Sequence, residues 1–228
     1  MKNTKNKVLV IALAVCLIAV ISVGSLAWFT ASDSATNTFY VANSDDDTAD
    51  DVFSVEVYEY TEDSPNNRVY DNETYSDITP GATLIKEAHV ANTGYYDQYI
   101  RVTVTISDAA VWQSVLGNDF NDATLLNCFD GFDMSMWTNV TTKVENDKVI
   151  IVMYYDGILD GNDDNDNVGS DITVFEAVNI PESLTRDHVI GFDDDRVEGF
   201  TIDVFAEAVQ TENVGNNALD AFTTVGLV

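Results

Sequence analysis

The chain has 228 residues, with 10 basic against 39 acidic side chains and a formal net charge of −29. Nucleic acid is therefore excluded as a partner, because phosphate binding depends on clustered Lys and Arg, and anionic lipid is disfavoured for the same reason. Such a charge keeps copies of the chain apart, so we expect self-association to respond to calcium and to a drop in pH.

The N-terminus has the order of an export signal. Three lysines precede an uncharged apolar run at 8–23, which is the basic-then-apolar arrangement of a secretory signal. A retained membrane anchor is the alternative, because the run is close to the roughly 20 residues that cross a bilayer. The small residues Ser25 and Ala27 favour cleavage between Ala27 and Trp28. Residues 1–27 are therefore predicted to be a signal peptide. The protein is expected to contact the membrane only before this peptide is cleaved off.

The segment 28–43 follows the predicted cleavage site. Alternation over 35–41 predicts a strand, with Ala35, Phe39 and Val41 on one face. A strand at a free N-terminus needs a partner, either within its own domain or at the open edge of a neighbouring copy. The acidic stretch that follows is predicted to be a solvated hinge. After cleavage the chain carries 7 basic and 39 acidic groups, a net charge of 7 − 39 = −32.

The remaining chain, residues 44–228, alternates apolar and polar side chains in short runs. This pattern predicts strands at 52–60, 84–92, 98–106, 149–155, 172–178 and 200–210.

Three finer predictions concern how these elements are arranged. The strands 84–92 and 98–106 are separated by a short Gly-containing stretch and are predicted to form a hairpin. The continuous apolar run 149–155 predicts a central strand buried on both faces. Asp108 is predicted to cap a short helix that ends at Leu116, and a last helical turn is expected near the C-terminus.

Many short strands with little helix predict an all-β fold. We expect an antiparallel β-sandwich, jelly-roll-like, with one or two short helices besides the N-terminal signal helix. The predicted organisation is a signal peptide at 1–27, an N-terminal strand segment at 28–43 and one sandwich domain at 44–228.

The histidines and the cysteine bear on whether the chain carries a catalytic site. A zinc protease of the common type needs two histidines one helical turn apart with a glutamate beside the first, whereas this chain has only His89 and His188. Cys128 has no neighbouring histidine, so the sequence supports no catalytic site.

The acidic loop before the strand at 172–178 has the alternating oxygen ligands of a calcium-binding loop. Asn165 stands where such a loop has glycine, and a solvated acidic loop is the alternative. The candidate calcium ligands are Asp160, Asn162, Asp164, Asp166 and Asp171.

Five segments of the chain form a recognisable set. They are WFTASDSATNTFYV at 28–41, ITPGATLIKEAHVANTGYYDQYIRVTVTI at 78–106, YYDGILDGN at 154–162, VNIP at 178–181 and FTIDVFAEAVQTEN at 200–213. Together they resemble the TasA/camelysin (CalY) family of exported bacterial proteins.

The resemblance implies a jelly-roll subunit of the biofilm matrix, processed by a SipW-type signal peptidase and located outside the cell, in the matrix or at the cell surface. Its partners would be other copies of itself and further matrix proteins. Subunits would polymerise into a fibre by donor-strand complementation, with Ala35, Phe39 and Val41 as inward side chains of the donor strand. Structural roles are implied for the family's recurring positions Pro80, Gly81, Asn92, Gly94, Arg101, Ala206, Ala208 and Gln210.

Two alternative functions remain open at this point. Camelysin-like relatives are classed as metalloendopeptidases, so an exported or cell-surface metalloendopeptidase is the first alternative. A monomeric binding module on the cell surface is the second. For Arg101, pairing with a carboxylate and exposure to solvent are equally compatible with the sequence.

Overall fold

The computed structural model describes residues 30–34, 37–38, 53–70, 79–117, 122–161, 169–184 and 200–227. Within these residues the strands are β1 Thr30–Ser34, β2 Asn37–Thr38, β3 Val55–Thr61, β4 Thr83–Asn92, β5 Gln98–Ser107, β6 Phe129–Asp130, β7 Trp137–Glu145, β8 Lys148–Tyr155, β9 Asp171–Asn179 and β10 Ile202–Gln210. The helices are α1 Ala109–Leu116, α2 Asp122–Leu126 and α3 Ala218–Thr224, with a 3-10 turn at Met134–Met136.

The strands form two antiparallel sheets. One has six strands in the order β2-β1-β10-β5-β8-β7, and the other has four in the order β3-β4-β9-β6. The prediction of a mainly antiparallel β fold with few short helices is confirmed. No helix among the described residues is long and apolar enough to cross a membrane, and the predicted signal helix lies outside them.

Alternation along the strands builds one core shared by both sheets. In β5, for example, Ile100, Val102, Val104 and Ile106 are buried while the residues between them are half-buried. Side chains from the four-stranded sheet, among them Val90 and Val174, belong to the same cluster. Burying each such side chain contributes about 1.5–3 kcal/mol, so the one-face alternation stabilises the packing of the two sheets.

A second apolar cluster lies on the other face of the six-stranded sheet, under α3. Phe222 and Ala218 of the helix pack there with Tyr99, Tyr154 and Val209 of the strands. Helix α3 is capped at its N-terminus by Asn217, whose side-chain Oδ1 accepts a hydrogen bond from the Asp220 N–H at 2.9 Å. The predicted C-terminal helical turn is confirmed, and it covers part of this sheet.

The predicted hairpin between β4 and β5 is wrong. The two strands exist as expected, but β4 pairs with β3 and β9 whereas β5 pairs with β10 and β8. The chain crosses from one sheet to the other at Asn92, which is buried and donates from Nδ2 to the carbonyls of Tyr96 at 2.9 Å and Leu159 at 3.0 Å. These bonds turn the chain toward the second sheet, and local alternation cannot specify them.

The predicted side-chain cap of α1 by Asp108 is also wrong. Helix α1 is present, but Asp108 has φ 58° and makes no side-chain cap. Asp147, in the turn between β7 and β8, replaces it. Its carbonyl accepts from the Ala109 N–H at 3.0 Å and its Oδ1 accepts from the Ala110 N–H at 3.1 Å. The cap is therefore a tertiary contact rather than a local one.

The prediction for β8 is confirmed in part. The strand is central, between β5 and β7, but its burial alternates, with Val149, Ile151 and Met153 buried and Ile150 half-buried. Near α3 the strand also packs on its other face, where Tyr154 belongs to the second cluster and Val152 packs against it.

Candidate assembly edge

Strand β1 closes one side of the six-stranded sheet by pairing with β10. The register places Thr30 opposite Val209, Ala31 opposite Ala208 and Ser34 opposite Phe205. On its other side β1 pairs, among the residues that the structure describes, with the two-residue β2. Both β1 and β10 lie against β3 of the other sheet. The N-terminal segment thus lies at an edge of its sheet and covers the side of β10.

The main-chain groups that join β1 to β10 follow from the ladder. Thr211 donates its N–H to the carbonyl of Asp97 at 3.1 Å. In an antiparallel sheet the main-chain groups of successive residues point to opposite neighbouring strands, so the N–H and C=O groups of odd-numbered residues of β10 point to β5. Those of Ala206 and Ala208 therefore point to β1, where the register partners are Asp33 and Ala31. The main chain of Ala31 bonds to β10, and that of Ser32 points away from it.

Strand β10 is also held by contacts that do not involve β1. Its residues Val204, Ala206 and Ala208 are buried in the core. On the opposite face Glu207 accepts two hydrogen bonds from Arg101 of β5, from Nε at 2.8 Å and from Nη2 at 2.6 Å. These contacts anchor β10 from both faces, so its edge is held in place by the rest of the domain.

Arg101 also ties the C-terminal segment to this strand. Its Nη1 donates to the Leu227 carbonyl, and its guanidinium lies 4.7 Å from the centre of the Phe222 ring. Burial opposes the charge of Arg101, but hydrogen bonds to Tyr154 and Glu207 outweigh it and raise its pKa. Of the two arrangements left open by the sequence, the pairing with a carboxylate is the one found.

Most of the sequence-predicted site residues lie outside the described part of the chain. This holds for the cleavage residues Ala27 and Trp28, and for Ala35, Phe39 and Val41 of the predicted donor strand. Pairing with β10 begins earlier, at Thr30.

The calcium prediction stays a prediction. Asn162, Asp164 and Asp166 lie outside the described residues. Asp160 accepts a hydrogen bond at its carbonyl from the Ser170 N–H at 3.2 Å, and the Asp171 carboxylate accepts one from the Tyr58 hydroxyl at 2.5 Å. Where the structure describes the chain, it has no group of three or more His, Cys, Asp or Glu side chains arranged to hold a metal ion.

A polar and aromatic cluster on the four-stranded sheet was missed by the sequence analysis. Tyr58 of β3 is buried beneath the Arg68 guanidinium, which lies 4.1 Å from its ring centre, and it stacks on His89 of β4 at 4.9 Å. His89 Nε2 lies 2.8 Å from the Glu87 carboxylate. Burial and the hydrogen bond to Asp171 raise the pKa of Tyr58 above its ordinary value of 10.0. The signal available in the sequence was the alternation of Tyr58 and Tyr60 along β3.

Asn92 and Gly94, for which the resemblance implied structural roles, make close contacts where the chain crosses from β4 to β5. Asn92 also accepts the Gly94 N–H at its Oδ1 at 2.9 Å. A Cβ atom on Gly94 would lie 2.6 Å from the Ser54 nitrogen, so glycine is needed for this close approach. Gln98 is buried and donates from Nε2 to the Ser54 carbonyl at 2.9 Å. These contacts hold the crossing between the two sheets.

Comparisons of the chain with protein-family models, with curated proteins and with solved structures give no match.

Proposed function

We propose that the chain is a secreted structural subunit of extracellular matrix fibres. It folds as a jelly-roll-like β-sandwich, and subunits polymerise when the N-terminal strand of one copy pairs with β10 of the next. The partners are other copies of the chain, a SipW-type signal peptidase before assembly and further proteins of the matrix. The observation that carries this proposal is the edge pairing of β1 with a strand that the rest of the domain holds in place.

The length of the connection to β3 supports exchange between copies. Residues 39–52 separate β2 from the first described residue of the β3 region. Fourteen extended residues reach at most about 45–50 Å. A domain of this size has a radius of gyration of roughly 16 Å, and thus a diameter of roughly 40 Å. A strand on this tether can therefore reach the β10 edge of an adjacent copy.

The chemistry of β1 supports a main-chain mode of recognition. Its sequence TASDS has no large apolar side chain. Strand addition at a sheet edge takes its affinity from main-chain hydrogen bonds and its specificity from side-chain pockets. Within β1 the main chains of Ala31 and Asp33 supply such bonds to β10, and recognition of this kind does not require large apolar side chains in the strand.

A matched pair of proline variants tests this proposal. Ala31→Pro removes an N–H that bonds to β10, whereas Ser32→Pro removes one that points away from it. Electron microscopy of the purified protein should show fibres for the parent and for Ser32→Pro, and none for Ala31→Pro. A variant lacking residues 28–43 should also form no fibres. Fibres from Ala31→Pro or from the deletion variant as abundant as from the parent would overturn the mechanism.

A further inference from the structure

Strand β7 ends the described part of the six-stranded sheet on the side opposite β1 and β2. A strand in this position carries main-chain N–H and C=O groups that point away from its neighbour, and these groups can pair with another chain. The last three residues of β7, Lys143, Val144 and Glu145, are all exposed. We therefore consider what this end of β7 can bind.

The turn between β7 and β8 shows which main-chain groups point out of the sheet. Its two residues have φ 52° and 58°, as the central residues of a type I′ turn do. Such a turn joins the main chains of the flanking residues, Glu145 and Lys148, by a hydrogen bond. Because the main-chain groups of successive residues point to opposite sides of an antiparallel strand, those of Thr142 and Val144 point out of the sheet.

The end of the β7–β8 hairpin is locally neutral in a strongly acidic chain. The net charge of −29 keeps copies of the chain apart. Residues 143–148 hold Lys143 and Lys148 against Glu145 and Asp147, a net charge of 2 − 2 = 0. They include two of the five Lys and Arg residues in the described part of the chain. A second copy can therefore approach this end of the hairpin with little local repulsion.

Charge selects one antiparallel register between two copies of β7. The outward main-chain groups meet only where even-numbered residues oppose even-numbered ones. Pairing centred on Lys143 would oppose two lysines and pairing centred on Glu145 would oppose two glutamates, and like charges directly opposite destabilise paired strands. Pairing centred on Thr142 would bring in the register irregularity earlier in β7. Pairing centred on Val144 instead places Lys143 of each copy opposite Glu145 of the other.

We infer that two copies of the chain join edge to edge through β7, antiparallel about a two-fold axis at Val144. The same patch serves on both copies, as in isologous dimers. The two Val144 residues exchange main-chain hydrogen bonds, and an ion pair between Lys143 and Glu145 forms on each side of the axis. These two side chains pair within one copy but are both more than half exposed, so they are accessible to a neighbour. The Val144 side chain, 44% exposed, meets its equivalent.

The β7 contact lies across the sheet from the edge that β1 covers. Strands β10, β5 and β8 separate β1 from β7, so one copy can make both contacts at once and the inference does not rest on the proposed function. In a polymer the β7 contact would join fibres side by side rather than lengthen them. A contact this short is weak alone, and repetition along two fibres strengthens it.

Disulfide cross-linking of the purified protein tests the contact. A hydrogen-bonded antiparallel pair has Cα atoms about 5.5 Å apart, which is within the range that a disulfide spans. The cysteine in the described part of the chain, Cys128, is buried. Under mild oxidation Val144→Cys should form linked dimers several-fold faster than Lys148→Cys, measured by non-reducing electrophoresis. Lys148 is the matched control because it is exposed but lies on β8, one strand away from the edge.

A charge exchange in the Val144→Cys background tests the register. Lys143→Glu should slow cross-linking by at least about fivefold, because both ion pairs become like-charge pairs. Lys148→Glu makes the same change of charge away from the edge and should slow it by less than about twofold at physiological salt. Lys143→Glu combined with Glu145→Lys should restore the original rate, since each lysine again opposes a glutamate. Circular dichroism checks that every variant is folded.

Equal rates for Val144→Cys and Lys148→Cys, or no restoration by the charge exchange, would refute the inference. The outcome is distinguishable from that of the proposed function. Linked dimers of Val144→Cys in a protein that forms no fibres would support the β7 contact and contradict the polymer. Fibres in which Val144→Cys forms no linked dimers would contradict the β7 contact and leave the polymer intact.

Discussion

The ion pair between Arg101 and Glu207 should contribute far more to the free energy of unfolding than the exposed ion pair between Lys143 and Glu145. Its two side chains are 13% and 17% exposed, and Arg101 donates twice to one carboxylate oxygen of Glu207. Removing one partner of a buried pair costs about 3–5 kcal/mol, because the other charge remains buried and uncompensated. Residual solvent exposure reduces this, so we expect Arg101→Met to lower the free energy of unfolding by about 2–3 kcal/mol.

Urea unfolding followed by circular dichroism measures this loss directly. The control is Lys143→Met. Lys143 Nζ lies 2.9 Å from Glu145 Oε2, but the two side chains are 60% and 54% exposed. An exposed pair of this kind contributes less than about 1 kcal/mol to stability. The double variant Arg101→Met with Glu207→Met should recover at least half of the loss, since no buried charge then stays unpaired. Equal losses for Arg101→Met and Lys143→Met, or no recovery in the double variant, would refute this reasoning.

Two further predictions concern stability. Asn92→Ala should lower the free energy of unfolding by about 2–4 kcal/mol, because three hydrogen bonds of a buried side chain are lost. Asn179→Ala, which removes an exposed bond to Thr83, should cost less than about 1 kcal/mol in the same urea measurement. For pH, the raised pKa of Tyr58 means that the folded chain keeps a proton which the unfolded chain loses above its ordinary value of 10.0. Stability from this group is therefore complete below pH 10 and falls above it by up to about 1.4 kcal/mol per pH unit, and Tyr58→Phe should show a shallower fall between pH 10 and 11 than the parent.

The strands were predictable because alternation reports a local property, the burial of one face. Strand β5 was expected at 98–106 and runs Gln98–Ser107. Strand β10 was expected at 200–210 and runs Ile202–Gln210. Ile100, Val102, Val104 and Ile106 of β5 and Val204, Ala206 and Ala208 of β10 are buried as expected, whereas Ile202 of the same face is half-buried. A strand with one face in the core leaves this period of two in the sequence.

The partners of those strands were not predictable from the same pattern. Local alternation is identical for a strand that folds back on its neighbour and for one that joins another sheet, so β4 and β5 looked like a hairpin. What separates them is the set of bonds from Asn92, one of which reaches Leu159, 67 residues away in the chain. The cap of α1 by Asp147 has the same origin, because its donor and acceptor are brought together only by the β7–β8 turn.

The candidate site divides in the same way. Alternation over 35–41 predicted a strand there, of which only Asn37–Thr38 lies among the described residues, whereas the strand that pairs with β10 is Thr30–Ser34. That pairing joins Ser34 to Phe205, 205 − 34 = 171 positions later in the chain, so it depends on the tertiary fold rather than on the local pattern. The bond between Tyr58 and Asp171 spans 113 positions. Neither contact leaves a periodic signal, because each joins segments whose relative placement is decided by other strands.

The arrangement of the edge has a consequence for how polymers would start. Because β10 is fixed by the core and by Arg101, its affinity for β1 is the same whether the strand comes from the same copy or from another. A tether of 14 residues holds a copy's own strand near its own β10 at an effective concentration on the order of millimolar. At micromolar protein the closed monomer therefore competes strongly with exchange. Growth should then depend on a pre-existing open end, and added fibre fragments should shorten any lag before new fibres form.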